Sequence, residues 1–345
     1  MSIKYNRESN LIKIHNNLIE PFFKTGEIGY FKGINYNNKQ MILRYIQFLQ
    51  KNESKGNIII VHGFGERIEK YKELCFDLYN FGMNVFIYDQ RGYGLSKFRK
   101  DGLDTIDVDR FRYYSDDLHS FITNIVSEKG NDLPLFIFSH SMGSAVTIRM
   151  IINHQFQKIC GLILSSPLLK VNTKKIPYAV FKGTTFLGKV PKLKSQMYFG
   201  EKKQNFEYYK DYKLCDQTNS EKRWEIYKNF MGTNDNFMLA PGGVTFHFAY
   251  ELNSTLESIF RDKMTFDNLS IPSLVFQAGQ DSKVDNRAQD AFFLKQKQTQ
   301  LIRIQDGRHS LYMESDNIRS FYLERILNFI TYCRENSRNY TTKQT

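Results

Sequence analysis

A serine at the centre of the motif SHSMG has the context of a hydrolytic nucleophile. Ser141 follows residues 135–138, an apolar run typical of a buried strand, and precedes residues 142–154, which are typical of a helix. A serine hydroxyl becomes an effective nucleophile when a sharp strand-to-helix turn exposes it and a nearby base accepts its proton. Ser139 and Gly143 are small enough for such a turn, although Ser139 takes a place where glycine is usual. The motif therefore predicts acyl transfer through Ser141, with an ordinary serine-rich turn as the alternative.

Backbone amides that could bind a developing oxyanion are predicted in a glycine-rich loop. Residues 57–61 (NIIIV) form an apolar run of strand length and lead directly into residues 62–66 (HGFGE). The glycines on both sides of Phe64 let the backbone approach a substrate without an intervening Cβ. We expect the amide of Phe64 and that of Met142, which follows the nucleophile, to form an oxyanion hole. A plain strand-to-helix connection is the alternative for this loop.

Two aspartates compete for the place of the orienting acid. Asp281 and Asp285 both follow residues 273–278, a buried-strand pattern that ends in a glycine turn. Asp281 is the predicted acid because it lies nearer the carboxyl edge of the sheet, where catalytic groups of open α/β sheets gather. Asp285 is predicted instead to cap a helix over residues 286–293.

His309 is the predicted general base, since it lies in the loop after the short apolar run 301–304. The resulting order of serine, aspartate and histidine is that of α/β-hydrolases, and differs from the orders in chymotrypsin and subtilisin. Three further histidines, His62, His140 and His247, are candidates for substrate binding. His62 and His140 are also expected to brace their loops by hydrogen bonds, and His247 is equally well explained as a packed histidine.

The segments that carry these residues alternate between strand and helix patterns, which is typical of a parallel sheet. Strands are predicted at 57–61, 85–89, 135–139, 160–165, 273–278 and 301–304, and helices at about 68–82, 107–128, 142–154 and 286–293. Residues 26–32 and 41–50 predict an earlier antiparallel pair. We therefore expect an α/β protein with a mostly parallel eight-stranded sheet flanked by helices.

The alternation stops after Pro167 and resumes only near Ile271. The intervening hundred or so residues are far more than a βα crossover requires. We expect residues 167–268 to form an inserted helical cap over the site. The core would then consist of a first part, residues 1–166, and a second part, residues 269–345.

The beginning of this cap is basic and apolar, with no Asp or Glu between Leu168 and Gly200. Its lysines are Lys170, Lys174, Lys175, Lys182, Lys189, Lys192 and Lys194, interleaved with Ile176, Tyr178, Val180, Phe181, Phe186, Leu187, Met197, Tyr198 and Phe199. Such a composition favours contact with an anionic membrane or a phosphate-bearing amphiphile. The alternative is that the lysines reflect only a chain rich in Lys, Asn and Ile throughout.

Composition argues against several other classes of protein. The net charge of +12 would allow nucleic-acid binding, but no recognised nucleic-acid module accompanies it. The four cysteines have no pairable spacing, which predicts free thiols and no metal site. The first residues lack the apolar run expected of a signal peptide, and no apolar stretch of about eighteen residues occurs in the sequence. We therefore expect a cytoplasmic protein, peripheral on the inner face of the cell membrane if the basic cap is a contact surface.

Three motifs together resemble the monoglyceride lipase and lysophospholipase branch of the α/β-hydrolases: HGFGE at 62–66, DQRGYGLS at 89–96 and SHSMG at 139–143. Residues 69–71, 108–111, 242–247 and 284–287 are similar, in addition, to segments of the bacterial PldB-type lysophospholipases. The resemblance extends from about residue 20 to 335 and is poorest between 168 and 235.

This resemblance implies hydrolysis of the remaining acyl ester of a 2-lysophospholipid, through an acyl-serine intermediate and without a cofactor. It places Ser141, Asp281 and His309 in the family's triad, and Phe64 and Met142 in its oxyanion hole. Association with the inner membrane is implied as well. In the motif at 89–96 we expect Asp89 and Arg91 to fix the loop near the edge of the sheet.

Other functions remain open at this point. A monoacylglycerol lipase or a general carboxylesterase shares every catalytic motif and differs only in the cap pocket. A catalytically silent hydrolase fold that binds lipid or serves as a scaffold is a third hypothesis, and it would fail to react with a fluorophosphonate probe. A prolyl aminopeptidase is more distant, because the cap shows no acidic cluster to hold a substrate amine.

Overall fold

One eight-stranded sheet lies at the centre of the computed structural model. The model describes residues 7–36, 39–96, 106–130, 133–174, 176–196, 198, 211–231, 243–294 and 296–341. The strands are β1 (Glu27–Tyr36), β2 (Lys39–Phe48), β3 (Asn57–Val61), β4 (Asn84–Tyr88), β5 (Leu135–His140), β6 (Gly161–Ser165), β7 (Ser273–Ala278) and β8 (Thr299–Ile304). Their order is β1-β2-β4-β3-β5-β6-β7-β8. Only β2 runs antiparallel to its neighbours, so the predicted antiparallel pair and mostly parallel sheet are confirmed.

The α-helices lie on both faces of this sheet. They are α1 (Leu11–Ile14), α2 (Glu20–Phe23), α3 (Lys72–Asn80), α4 (Arg112–Phe121), α5 (Ser127–Lys129), α6 (Met142–His154), α7 (Tyr178–Thr185), α8 (Glu221–Met231), α9 (Phe246–Arg261), α10 (Lys263–Asn268), α11 (Asn286–Phe293) and α12 (Asp316–Thr341). Helices α3 and α12 cover one face of the sheet, and α4, α6 and α11 cover the other.

The apolar run of β3 follows from this double covering. Ile58 and Ile60 pack toward α3 and α12, whereas Ile59 and Val61 pack toward α4 and α6. All four side chains are fully buried. Neighbouring residues of a strand point to opposite faces, so a strand covered on both faces is apolar at every position.

Two predicted helices begin later than the sequence indicated. The segment predicted as a helix from residue 107 becomes helical only at Arg112, because the backbone N–H and C=O of Ile106 are bonded to Gly243 and Thr245 near the end of the insertion. A backbone held extended in this way cannot enter a helix. The segment predicted from residue 68 starts as a 3₁₀ turn, Ile68–Tyr71, before α3.

The insertion between β6 and β7 contains the helices α7 to α10. Helix α9 packs against both α6 of the core and α7. Lys175, Met197 and Phe199 of the basic segment lie outside the described residues. The division of the chain into a core and a cap domain at residues 167 and 268 stays a prediction.

Two further features bear on the sequence-based expectations. The four cysteines, Cys75, Cys160, Cys215 and Cys333, all lie among the described residues and form no disulfide. Within the described ranges, no helix combines the length and the apolar character needed to cross a bilayer.

Candidate active site

Ser141 lies on the sharp turn between β5 and α6. Its φ of 50° and ψ of −117° are strained for a residue with a side chain, a feature that clusters at functional sites. The turn requires Gly143, because a Cβ there would lie 2.3 Å from the carbonyl oxygen of Val61 in β3. Ser139, which replaces the usual glycine, is buried, and its hydroxyl is hydrogen-bonded to Thr147 Oγ1 of α6 at 2.7 Å. The hydroxyl thus has a partner in the helix that packs against it.

The structure brings Ser141, Asp281 and His309 together from three separate loops. His309 Nε2 lies 3.0 Å from Ser141 Oγ, and His309 Nδ1 lies 2.7 Å from Asp281 Oδ2. Since a carboxylate only accepts, we assign the Nδ1 proton to the bond with Asp281, which leaves the Nε2 lone pair for the serine hydroxyl. This is the geometry of a nucleophile, a general base and an orienting acid.

The two candidate aspartates have different positions. Asp281 Oδ1 accepts hydrogen bonds from the backbone N–H groups of Lys283 and Val284 at 2.8 and 3.1 Å, which aims the other oxygen at His309. Asp285 caps α11, as predicted, and its Oδ1 accepts from the Arg287 N–H at 3.0 Å.

Burial sets the protonation of the base. Desolvation lowers the pKa of His309 below its usual 6.5, and the nearby His140 lowers it further, against the opposing effect of Asp281. The imidazole is therefore neutral at pH 7, the form that accepts a proton from serine.

Two backbone amides are available to an oxyanion near Ser141. Met142 is the first residue of α6, and Phe64 lies in the turn that follows β3. Neither N–H donates to an acceptor among the residues that the structure describes. The positions of both amides suit an oxyanion hole at the start of a helix.

Glu66 holds the loop that carries Phe64. Its Oε2 accepts from the Gly63 N–H at 2.6 Å and faces His140 Nδ1 at 2.9 Å, and its Oε1 accepts from Lys70 Nζ at 2.6 Å. Sequence reasoning assigned no function to Glu66. The sequence did contain a signal for such a role, since an acidic residue ends the glycine loop four positions before Lys70.

A cavity of about 470 Å³ opens at Ser141 and His309. Its apolar lining comes largely from the insertion: Leu168, Val171, Phe181, Tyr198, Trp224, Tyr227, Val244, Phe248, Ala249 and Leu252. Lys70 and Lys283 contribute two cations to the same lining. A volume in this range and a mostly apolar wall are typical of a small-molecule site.

The sequence profile of the family described as serine aminopeptidase, S33 (Hydrolase_4), matches residues 52–316. The chain belongs to this family. The match includes both loops at the serine, the insertion and the loops of Asp281 and His309. The protein is therefore an enzyme of the serine-hydrolase type, and the α/β-hydrolase fold predicted from its sequence is confirmed.

Similar proteins lie in the branch that the sequence motifs indicated. A Haemophilus influenzae protein named "Probable lysophospholipase L2" is 24% identical over 321 residues, which cover 90% of this chain and 94% of that protein. Lysophospholipase L2 of Escherichia coli K12 is 24% identical over 310 residues, 87% of each chain. The crystal structure of a soluble variant of monoglyceride lipase from Saccharomyces cerevisiae superimposes with a TM-score of 0.69 at 19% identity, covering 89% of this chain and 95% of that one.

The structure does not bring the three predicted substrate-binding histidines to the cavity. His62 and His140 are buried beneath it, and both brace loops as expected: His62 Nδ1 donates to the Gly63 carbonyl at 2.8 Å, and its Nε2 accepts from the Gln90 N–H at 3.0 Å. Burial lowers the pKa of His62 to about 4, so it is neutral.

His247 donates to the Asp109 carbonyl at 3.0 Å and borders a different, open groove.

The motif at 89–96 has the structural role that we expected. Asp89 is buried and accepts from the backbone N–H groups of Ile68 and Leu95, both at 3.0 Å. Arg91 makes a two-point ion pair with Asp117 of α4, at 2.6 and 2.7 Å. The bonds of Asp89 link the loops that follow β3 and β4, and the ion pair of Arg91 attaches the loop after β4 to helix α4.

Proposed function

We propose that the protein is a serine carboxylester hydrolase that cleaves the acyl ester of lysophospholipids, releasing a free fatty acid and a glycerophospho-alcohol. The observation that carries this proposal is the position of the Ser141–His309–Asp281 cluster at the base of an apolar cavity. An acyl chain in that cavity would bring its ester carbonyl to the serine. Similarity to two chains named as lysophospholipases L2 along most of the sequence supports this choice.

The reaction follows from the arrangement of the side chains. His309, oriented by Asp281, takes the proton of Ser141 as its oxygen attacks the acyl carbonyl. The amides of Phe64 and Met142 stabilise the oxyanion of the tetrahedral intermediate. His309 then protonates the departing glycerol oxygen, and water, deprotonated by the same histidine, hydrolyses the acyl-serine. No cofactor takes part in these steps.

The charges in the cavity favour an anionic head group over a neutral one. Lys70 pairs with Glu66, but Glu66 also faces His140, and Lys283, which is 41% exposed, pairs with Asp216 at 2.7 Å. Ammonium groups bind phosphate through charge-assisted hydrogen bonds. We therefore place the phosphate of the substrate beside Lys70 and Lys283.

The decisive assay measures fatty-acid release from lysophosphatidylethanolamine, lysophosphatidylglycerol and monoacylglycerol of matched chain length. Ser141→Ala is expected to lower kcat by a factor of about 10³ to 10⁶, because the triad acts as a unit. Ser144→Ala is the matched control, since this neighbouring hydroxyl is bonded to the Ser139 carbonyl at 3.1 Å. Activity of Ser141→Ala within tenfold of wild type would refute the catalytic assignment.

A monoacylglycerol lipase is the second candidate, favoured by the structural likeness to the yeast enzyme. The two functions differ in whether the cations of the cavity, Lys70 and Lys283, contribute to substrate binding. Lys283→Gln should raise KM for lysophosphatidylglycerol several-fold and leave KM for monoacylglycerol unchanged if the substrate is a lysophospholipid. Faster turnover of monoacylglycerol, with no effect of Lys283→Gln on either substrate, would favour the neutral lipid.

We also propose that the beginning of the insertion contacts an anionic bilayer. Around α7, Ile176 and Val180 are each 55% exposed and Phe186 is 47% exposed. Four exposed lysines, Lys174, Lys189, Lys192 and Lys194, flank these apolar residues in the sequence, and Lys189 Nζ lies 5.4 Å from the centre of the Phe186 ring. Apolar side chains that enter the interface, with ammonium groups that meet anionic lipid, are typical of peripheral membrane surfaces.

Sedimentation with liposomes tests this contact. The triple variant Lys174→Glu, Lys189→Glu, Lys192→Glu is expected to abolish binding to phosphatidylglycerol liposomes, and binding of wild type should weaken with salt. The triple variant Lys51→Glu, Lys129→Glu, Lys158→Glu changes net charge equally. These three exposed lysines precede β3, β5 and β6, at the opposite edge of the sheet from the site. Equal loss in both variants would leave only a general effect of charge and refute the docking surface.

A further inference from the structure

His140 lies between the oxyanion loop and the catalytic histidine. Its Nδ1 is 2.9 Å from Glu66 Oε2, and its Nε2 is 3.1 Å from the backbone carbonyl oxygen of His309. We propose that His140 is a positively charged positioning residue: an imidazolium that clamps loop 63–66 to the His309 backbone and holds a positive charge beside the catalytic ring. The proposal rests on the serine-hydrolase function proposed above.

Glu66, the first partner of His140, is a carboxylate. Its Oε1 accepts from the Lys70 ammonium and its Oε2 from the Gly63 N–H, and both of these groups can only donate. The hydroxyls of Tyr71 and Tyr312 donate to Oε2 and Oε1 as well, so four donors besides His140 converge on this side chain and favour its ionised form. Burial opposes ionisation, but the charges of His140 and Lys70 outweigh it and hold the pKa of Glu66 well below its usual range.

The imidazole of His140 consequently meets an acceptor at each nitrogen. A neutral ring has one N–H and one lone pair, and would set its lone pair against the Glu66 carboxylate or the His309 carbonyl. The side chain is 1% exposed, so water cannot replace the lost bond. Leaving one acceptor unsatisfied would cost about 1–3 kcal/mol. Only the doubly protonated ring donates to both.

The hydrogen bonds of His140 connect the oxyanion loop to the general base. Gly63, Glu66, His140 and His309 form a continuous chain of hydrogen bonds, from the loop that carries the Phe64 amide to the backbone of the general base. The His309 carbonyl also accepts from Ser166 Oγ at 2.8 Å. The clamp therefore fixes the oxyanion donors relative to the base, which a catalytic site requires to within fractions of an ångström.

The charge of His140 acts directly on the catalytic ring. The centroids of the His140 and His309 rings are 4.8 Å apart, and a cation at this distance disfavours protonation of His309. Among the described residues, the charged or titratable groups around the two rings are His62, Glu66, Lys70 and Tyr71 from the segment after β3, Tyr312 from the segment after β8, and Asp281 from the loop after β7. Glu66 lies between the cations of His140 and Lys70, whereas the second carboxylate, Asp281, pairs with His309 itself.

Nitrogen-15 NMR of protein labelled at histidine measures the protonation of the His140 ring without an activity assay. The chain has seven histidines, and the His140 resonances are assigned by their absence in His140→Gln. We expect both ring nitrogens of His140 to show protonated chemical shifts at pH 7, where His62 shows a neutral ring. A neutral signature for His140 at pH 7 would overturn the proposal.

Kinetic measurements then separate the effect of the His140 charge from the effect of its hydrogen bond to the His309 carbonyl. His140→Gln can keep a donor to the His309 carbonyl but carries no charge and lacks the bond from Nδ1. We expect kcat to fall by roughly ten- to a hundred-fold with little change in KM, and the acid limb of kcat/KM to move to higher pH. Ser166→Ala removes the other donor to the same carbonyl without a change in charge, so its acid limb should match that of wild type.

The outcomes distinguish this proposal from the function on which it rests. A fall in kcat for His140→Gln with an unshifted acid limb would mean a purely structural role and would overturn the electrostatic part. Labelling of wild type, but not of Ser141→Ala, by a fluorophosphonate probe tests the serine-hydrolase function by itself. The NMR measurement decides the charge of His140 whichever way that labelling turns out.

Discussion

Arg223 of the insertion donates from Nε to Glu73 Oε2 of α3 at 2.8 Å, which ties helix α8 to the core. The same guanidinium donates to Asp316 Oδ1 and to the carbonyl oxygen of Glu314, both at 2.8 Å, at the start of α12. The next residue, Trp224, lines the cavity at Ser141. This wall of the cavity is therefore held by a buried ion-pair network of the core.

Replacement of Arg223 should destabilise the protein strongly. Its side chain is 2% exposed, and Arg223→Met leaves the carboxylates of Glu73 and Asp316, which are 16% and 11% exposed, without this partner. We expect the free energy of unfolding to fall by about 3–5 kcal/mol, measured by urea denaturation. The control is Arg287→Met, because Arg287 is 91% exposed and pairs with Asp285 at 3.3 Å; its loss should cost less than about 1 kcal/mol. Equal effects of the two substitutions would contradict the anchoring role.

The same network predicts sensitivity to acid. Burial opposes ionisation of Glu73, but the charges of Arg319 and Arg223 outweigh it and lower its pKa to about 2. The unfolded state then binds the proton more tightly, so the stabilisation is present above pH 4.5 and is lost as pH falls toward 2. The loss should be roughly 3 kcal/mol, and the free energy of unfolding of Glu73→Gln should depend less steeply on pH in this window. Parallel curves for the two proteins would rule out this contribution.

The sequence predicted the positions of the triad because each member follows a strand, and carboxyl ends of parallel strands meet at one edge of a sheet. Ser141, Asp281 and His309 could thus be placed by local patterns alone. The bond of Glu66 to His140 and the bonds of Arg223 to Glu73 and Asp316 could not, because these partners lie far apart in the chain and only the packed fold brings them together. The start of α4 was misplaced for the same reason, since the distant Gly243 and Thr245 bind the backbone of Ile106.

Substitution of the two aspartates after β7 separates catalysis from helix capping. Asp281→Asn should lower kcat by about 10⁴-fold, the loss known for triads in which an amide replaces the orienting carboxylate and favours the wrong histidine tautomer. Asp285→Asn keeps an oxygen that can cap α11 and should retain the rate of wild type. Fatty-acid release at saturating substrate measures both. Loss of activity in Asp285→Asn alone would reverse the assignment of the acid.

The acid limb of activity should report the buried environment of His309. Only the neutral imidazole accepts the proton of Ser141, and burial lowers the pKa of His309 below 6.5. We therefore expect kcat/KM to rise with pH, with a midpoint below 6.5, and to level off near neutrality. Hydrolysis of a soluble short-chain ester gives this profile without interference from lipid aggregation, and re-assay at pH 8 after incubation at each pH excludes unfolding. A midpoint above 6.5 would mean that the pairing with Asp281 outweighs burial, and the cation at His140 could then no longer explain a neutral base.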